Sequence, residues 1–117
     1  MAREPIAVLL LPRRVEELEQ RVEVEALLRC RGVVALEPGR LPAPAGRRAR
    51  GQARRMLRRL PGRPAAVVVL GEREQPLAEE LVGRVVGCEL IATRELAGLR
   101  ARFAARGVDV GEGEPGG

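Results

Sequence analysis

The chain has 117 residues and a net charge of +5, and all 21 of its basic residues are arginine. It contains no His, Lys, Ser, Asn, Tyr or Trp, and Thr93 carries its only aliphatic hydroxyl group. These absences exclude a Ser-His-Asp triad, a Cys-His pair and a Schiff-base lysine. With no histidine and two distant cysteines, the usual zinc sites are excluded as well, so we predict no metal site.

The length and the 45% hydrophobic content suit one folded domain. We predict a single α/β domain over residues 1–110 and a disordered tail over 111–117, whose sequence is GEGEPGG. No apolar run approaches the roughly 18 residues of a membrane span. The expectation is therefore a soluble, cytoplasmic protein, with Cys30 and Cys88 as buried, reduced thiols because both lie within apolar patterns.

Four short apolar runs define the predicted strands, and a helical pattern follows each of them. The runs are Ile6–Leu11, Val33–Leu36, Ala65–Leu70 and Cys88–Ala92. Continuous apolar runs of this length are typical of strands buried on both faces of a parallel sheet. Val108–Val110 is a candidate fifth strand.

The first helix is predicted over residues 14–31, and Gly32 suits the position just past its end. Its predicted core stripe consists of Val15, Leu18, Val22, Ala26 and Cys30. Val24 and Leu28 would lie on the far side of this helix. They would be either exposed or part of a contact with a partner.

The second helix contains the stretch GRRARGQARRMLRRL, Gly46–Leu60. Its apolar residues share one side, and seven arginines occupy the rest of the circumference, which is the pattern of an amphipathic helix on a core. The apolar residues are Ala49, Ala53, Met56, Leu57 and Leu60. Gly51 weakens the start of this helix, and Pro61-Gly62 ends it.

Two further helices follow the third and fourth strands. One begins near Pro76 and buries Leu77, Leu81 and Val85, and the spacing of Gly83 and Gly87 indicates a loosened helix end. The other is predicted to be capped by Thr93 and to end at Gly107. Its core side is Leu96, Leu99 and Phe103.

The alternation of strands and helices predicts a three-layer α/β sandwich, Rossmann-like or flavodoxin-like, with a four- or five-stranded, mainly parallel sheet. Ligands of such sheets bind beyond the carboxyl ends of the strands. The predicted ligand-binding residues there are Arg13, Arg14, Glu37 and Arg73. No catalytic residue can be assigned. The glycine loop of dinucleotide folds and the Walker lysine are both absent, and no cofactor is predicted.

The arginine-rich segment concentrates the positive charge of the chain. Between Arg40 and Arg63 there are nine arginines and no acid, so this segment carries +9 and the remainder carries −4. One hypothesis is a nucleic-acid-binding module. Its binding residues would be Arg47, Arg54, Arg55 and Arg58. Against it, no aromatic residue is near to stack on bases and no helix-turn-helix is evident.

The competing interpretation is that the arginines lie on a solvated helix face, balanced by glutamates of the first helix if the two helices pack side by side. Those glutamates are Glu16, Glu17, Glu19, Glu23 and Glu25. A contact with an anionic partner or surface is a third interpretation.

Two stretches carry a resemblance to a known family: PIAVLLLPRRVEELEQRVEVEALLRCRGVVALEP and RRMLRRLPGRPAAVVVLGEREQPLAEELVGRVVGCEL. Over about Pro5 to Arg94, the residue pattern and the order of elements resemble the N-terminal Rossmann-like half of bacterial two-domain glycosyltransferases. The resemblance implies a half-domain that binds a sugar or phosphorylated acceptor and is inactive alone. It transfers no catalytic residue. The predicted partner is another protein chain or a second copy, and the further alternative is a structural or dimerisation domain acting through Val24 and Leu28.

Overall fold

The sheet has four strands, all parallel, in the order β2-β1-β3-β4. The structure, a computed structural model, describes residues 4–11, 21–36, 47–93 and 96–112. The strands are β1 (Pro5–Leu10), β2 (Val33–Leu36), β3 (Arg63–Val69) and β4 (Glu89–Ala92). The helices are α1 (Arg21–Leu28), α2 (Arg47–Arg59), α3 (Gln75–Gly83) and α4 (Leu99–Ala105), with a 3₁₀ turn at Glu72–Glu74. The predicted α/β class and parallel sheet are confirmed.

Two apolar cores lie on opposite faces of the sheet. Successive side chains of a strand point to opposite faces, so β1 sends Ala7 and Leu9 into one core and Ile6, Val8 and Leu10 into the other. Helices α1 and α4 cover the first core, and α2 and α3 cover the second. This double coverage explains why the strand sequences are continuously apolar rather than alternating.

The path of the chain places α1 and α2 on different faces. From β1 the chain moves outward to β2, and from β2 it crosses back past β1 to β3. Parallel crossovers are right-handed, so two crossovers in opposite directions put their helices on opposite sides of the sheet. The acidic and basic helices are therefore separated by the whole thickness of the sheet.

The predicted core stripe of the first helix is wrong. In α1 the buried residues are Val24 and Leu27, whereas the Val22 side chain is 74% exposed and Ala26 is exposed. Cys30, just past the helix, is buried as predicted, and it continues the three-residue spacing of the buried pair. Val24, at 1% exposure, is part of the core and is not available for a partner contact. The predicted Val15 and Leu18 lie outside the described residues.

The other helices follow their predicted faces more closely. Leu77 and Leu81 of α3 are buried together with Ala78, while Val85 lies beyond the helix end and is half-buried. Leu96, Leu99 and Phe103 are all buried, as predicted. Gly87 has a φ of 80° in the turn after α3, which agrees with a loosened helix end.

Thr93 does not cap the last helix. Gly98, with a φ of 83°, precedes Leu99 at the N-cap position of α4. Thr93 instead extends the sheet contact, because its backbone N–H donates to the Val69 carbonyl at 3.3 Å. The predicted cap is wrong by five residues because the connection leaving β4 is longer than the sequence pattern indicated.

The segment after α4 packs against the end of α1 without forming a regular strand. The N–H of Gly32 donates to Asp109 O at 2.7 Å, and that of Arg31 donates to Gly111 O at 2.9 Å. Glu112 forms an isolated antiparallel bridge with Cys30. The predicted fifth strand is therefore an irregular antiparallel contact, and residues 111 and 112 of the predicted tail take part in it. Residues 113–117 lie outside the described part.

None of the helices in the described ranges is both long and apolar enough to cross a membrane.

Candidate nucleic-acid interface

Helix α2 is anchored by one apolar side. Ala49, Ala53 and Met56 are buried, and Leu57 is half-buried. These residues recur at three- and four-residue steps, so they form one stripe, which packs against the sheet and against α3. The small alanines bring the helix close to its neighbours and fix which side of it meets solvent.

The solvent side of α2 is an arginine face. At 100° per residue, the seven arginines span an arc of about 180° centred opposite the buried stripe. The structure shows each of them exposed, which agrees with the sequence-predicted side. They are Arg47, Arg48, Arg50, Arg54, Arg55, Arg58 and Arg59. The helix contains no acidic residue, so the arginine face carries a local charge of +7.

The arginines of this face have no acidic partners within the described ranges. Arginines elsewhere do pair: Arg21 lies 3.4 Å from Glu25, and Arg31 lies 3.6 Å from Asp109. The α2 guanidinium groups make no such ion pair and no side-chain hydrogen bond to a described residue.

The expected side-by-side packing of the first helix and α2 is wrong for the described part of the first helix, which contains Glu23 and Glu25. Glu16, Glu17 and Glu19 lie outside the described residues. The described glutamates of α1 are exposed on the other face of the sheet, behind the core that Val24 and Leu27 enter. A charge pair needs an approach within a few ångströms to contribute even the roughly 0–1 kcal/mol of an exposed ion pair. The sheet prevents that approach, and the positive charge of α2 stays open to solvent.

An acidic border limits the arginine face on the side of α3. A groove of about 520 Å³ runs between the two helices. It is lined by Ala49, Pro76, Glu79, Glu80, Gly83 and Arg84. Glu80 lies 3.7 Å from Arg84, while Glu79 is exposed. With the Arg84 guanidinium, these two carboxylates give the groove a net charge of −1, so the positive potential of α2 is strongest on the side away from α3.

The ligand site predicted at the carboxyl edge of the sheet is described at one residue only. Arg73 is exposed on the 3₁₀ turn that follows β3. Arg13, Arg14 and Glu37 lie outside the described residues. Glu72 is exposed and Glu74 is 8% exposed. These two carboxylates therefore occupy different environments.

A cluster of two arginines and one glutamate joins α4 to β4, and sequence analysis did not find it. Glu89 accepts hydrogen bonds from Nη2 of Arg102 and, at 2.5 Å, from Nε of Arg106. Arg106 also donates to the Gly87 carbonyl at 3.2 Å. The partners are 13 and 17 residues apart in sequence, a separation that no local pattern reveals.

Two titratable groups at this cluster, Glu89 and Cys88, have shifted pKa values. Partial desolvation raises the pKa of Glu89, but the hydrogen bonds from Arg102 and Arg106 outweigh it, and the pKa lies below its ordinary value. Burial raises the pKa of the Cys88 thiol, against the opposing charge of Arg106. Cys88 is half-buried and Cys30 buried, and both are free thiols. Through their hydrogen bonds, Glu89, Arg102 and Arg106 form a clamp between β4 and the end of α4.

Within the described residues, no group of three or more His, Cys, Asp or Glu side chains is placed to hold a metal ion.

Comparison with known proteins gave no match: no protein-family model, curated protein or solved structure is similar to this chain.

Proposed function

We propose that the protein binds nucleic acid through the arginine face of α2. The observation that carries this proposal is the set of seven exposed arginines without acidic partners in the described structure. Guanidinium groups bind phosphate oxygens through bidentate, charge-assisted hydrogen bonds. The site residues named from sequence, Arg47, Arg54, Arg55 and Arg58, all belong to this face.

The charge density of the face matches that of a nucleic-acid strand. A helix of 13 residues is about 20 Å long, so seven arginines give about one positive charge per 3 Å. A strand of DNA carries one phosphate per roughly 3.4 Å of helix axis. Several phosphates can therefore be neutralised at once, and the released counterions favour binding.

The burial of the apolar stripe argues against the membrane as the main target. An amphipathic helix binds a lipid surface by inserting its apolar face. In α2 that face is already used by the protein core, through Ala53 and Met56. Only electrostatic attraction would remain for a lipid surface.

The position of the single aromatic residue predicts the mode of binding. Phe103 is fully buried in the core on the other face of the sheet. No aromatic ring is thus available to α2 for stacking on bases, which is the usual means of holding an unpaired strand. We expect phosphate-directed binding with little sequence preference.

The test is equilibrium binding of a labelled duplex of about 20 base pairs at about 50 mM salt. The wild-type protein should bind, and a variant with Arg47, Arg54, Arg55 and Arg58 changed to Gln should lose most of its affinity. The control for lost charge is Arg21→Gln combined with Arg29→Gln, two exposed positions on the α1 side, compared with Arg54→Gln combined with Arg58→Gln, which removes the same charge from α2. Equal binding of the duplex by wild type and the quadruple variant would overturn the proposal, as would tighter binding to polyglutamate than to the duplex.

A second proposal is the glycosyltransferase-like half-domain that binds a sugar or phosphorylated acceptor. It is supported by the parallel sheet, whose strand order reverses between β1 and β3, because open α/β sheets bind ligands beyond the carboxyl ends of the strands at such a reversal. Arg73 follows β3 at that edge. Calorimetric titration with nucleotide sugars and phosphorylated acceptors tests it, and no heat at about millimolar ligand, a concentration that detects weak sites, would refute it.

A further inference from the structure

Gly51 lies among arginines on the surface of α2. Residues three and four positions away are its neighbours on the helix surface, at about 5–6 Å. All four of those neighbours are arginine: Arg47, Arg48, Arg54 and Arg55. Gly51 also lies near the middle of the arc that the seven arginines span, opposite the buried stripe.

Packing within the protein does not require a glycine at this position. A Cβ atom added to Gly51 would have only Nη2 of Arg55 nearby, at 4.0 Å, which is an ordinary contact. The backbone does not require it either, because Gly51 is helical and does not have a positive φ. Glycine inside a helix is less stable than alanine. The glycine thus lowers the stability of α2 and gives no compensating contact inside the domain.

Other glycines of the chain differ from Gly51 in this respect. At Gly32 and Gly62 an added Cβ would meet backbone atoms at 2.8 Å and 2.5 Å respectively, so close packing demands glycine there. Gly98 has a positive φ. Gly83, the last residue of α3, also has room for a Cβ atom, which would meet no atom within 4 Å, but it is not surrounded by arginines.

We propose that Gly51 is the floor of a phosphate seat, in which one phosphate group of the bound nucleic acid rests on the helix surface between the four neighbouring arginines. This inference rests on the proposed nucleic-acid function of α2. Without a side chain at Gly51, the phosphate can approach the helix backbone, as glycines permit elsewhere in proteins. Helical side chains lean toward the N-terminus of the helix, so Arg54 and Arg55 reach over Gly51, where Nη2 of Arg55 already lies 4.0 Å from the Cβ position. Arg47 and Arg48 border the phosphate on its other side.

The experiment compares substitutions at Gly51 with the same substitutions at Gly83. Gly51→Ala should raise the melting temperature by about 2–4 °C, because alanine is the better helix former. Gly51→Leu should also fold, since leucine favours helices, but it should weaken duplex binding about tenfold, the equivalent of one charge-assisted contact. Gly83→Ala and Gly83→Leu should leave the duplex affinity unchanged.

The outcomes distinguish a failure of the phosphate seat at Gly51 from a failure of the proposed nucleic-acid binding. If Gly51→Leu binds the duplex as tightly as wild type while the quadruple arginine variant does not, the seat is overturned and the function stands. If the wild-type protein does not bind the duplex, both are overturned. Inorganic phosphate is the second ligand: wild-type binding to free phosphate as tight as to the duplex would assign the seat to a small anion and overturn its role toward nucleic acid.

Discussion

The salt dependence of binding is the most direct quantitative test of the arginine face. The face offers seven exposed arginines, and each phosphate neutralised on a duplex contributes about −0.9 to the slope of log K against log salt. If only four arginines contact phosphates, the slope is about −3.6, and if all seven do, it is about −6.3. Affinity should then fall about 150- to 6,000-fold between 50 and 200 mM salt.

Paired substitutions assign that slope to the correct helix. Arg54→Gln with Arg58→Gln should reduce the magnitude of the slope by about 1.8, because two phosphate contacts are lost. Arg21→Gln with Arg29→Gln removes the same net charge from the α1 side and should leave the slope unchanged. Fluorescence anisotropy of a labelled duplex over a salt series measures both. A wild-type slope shallower than about −2 would mean that at most about two phosphates are neutralised and would refute the arginine face. An equal effect of the two pairs would show that net charge rather than α2 governs binding.

Three further predictions concern the fold and are read by chemical denaturation. Gly32→Ala should lower the free energy of unfolding by about 2–4 kcal/mol, because its Cβ would lie 2.8 Å from Asp109 N and displace the 108–112 segment. A smaller loss of stability than that of Gly83→Ala would refute this prediction. Val24→Glu should lower the free energy of unfolding by about 3 kcal/mol or more, because it buries a charge. Val22→Glu, at a 74% exposed position, should leave the stability nearly unchanged. Similar effects of the two substitutions would contradict the packing of α1. Glu89→Gln should cost about 1 kcal/mol at neutral pH. Because folding lowers the pKa of Glu89, the stability difference between wild type and Glu89→Gln should be present above pH about 5 and vanish as the pH falls through the lowered pKa. A stability difference that persists at low pH would exclude the clamp.

The elements whose signals are local could be predicted from the sequence alone. The strands were found because a sheet covered on both faces selects unbroken apolar runs such as Ala65–Leu70. The buried and exposed sides of α2 were found because alanines and arginines alternate there with the period of the helix. The same local period gave Leu99 and Phe103 as the core side of α4. Each of these depends on residues within a few positions of one another.

The tertiary structure decided everything that depends on how elements meet. In α1 two apolar arcs compete, and the sheet selected Val24 and Leu27 rather than Val22 and Ala26. The handedness of the crossovers put α1 and α2 on opposite faces, so the described glutamates of α1, Glu23 and Glu25, lie away from the exposed α2 arginines. Glu89 accepts hydrogen bonds from Arg102 and Arg106 because the tertiary fold brings the end of α4 next to β4. The physical reason is common to these cases: periodicity fixes which side of a helix is apolar, but the neighbour that each side meets is set by chain topology over distances that local sequence does not encode.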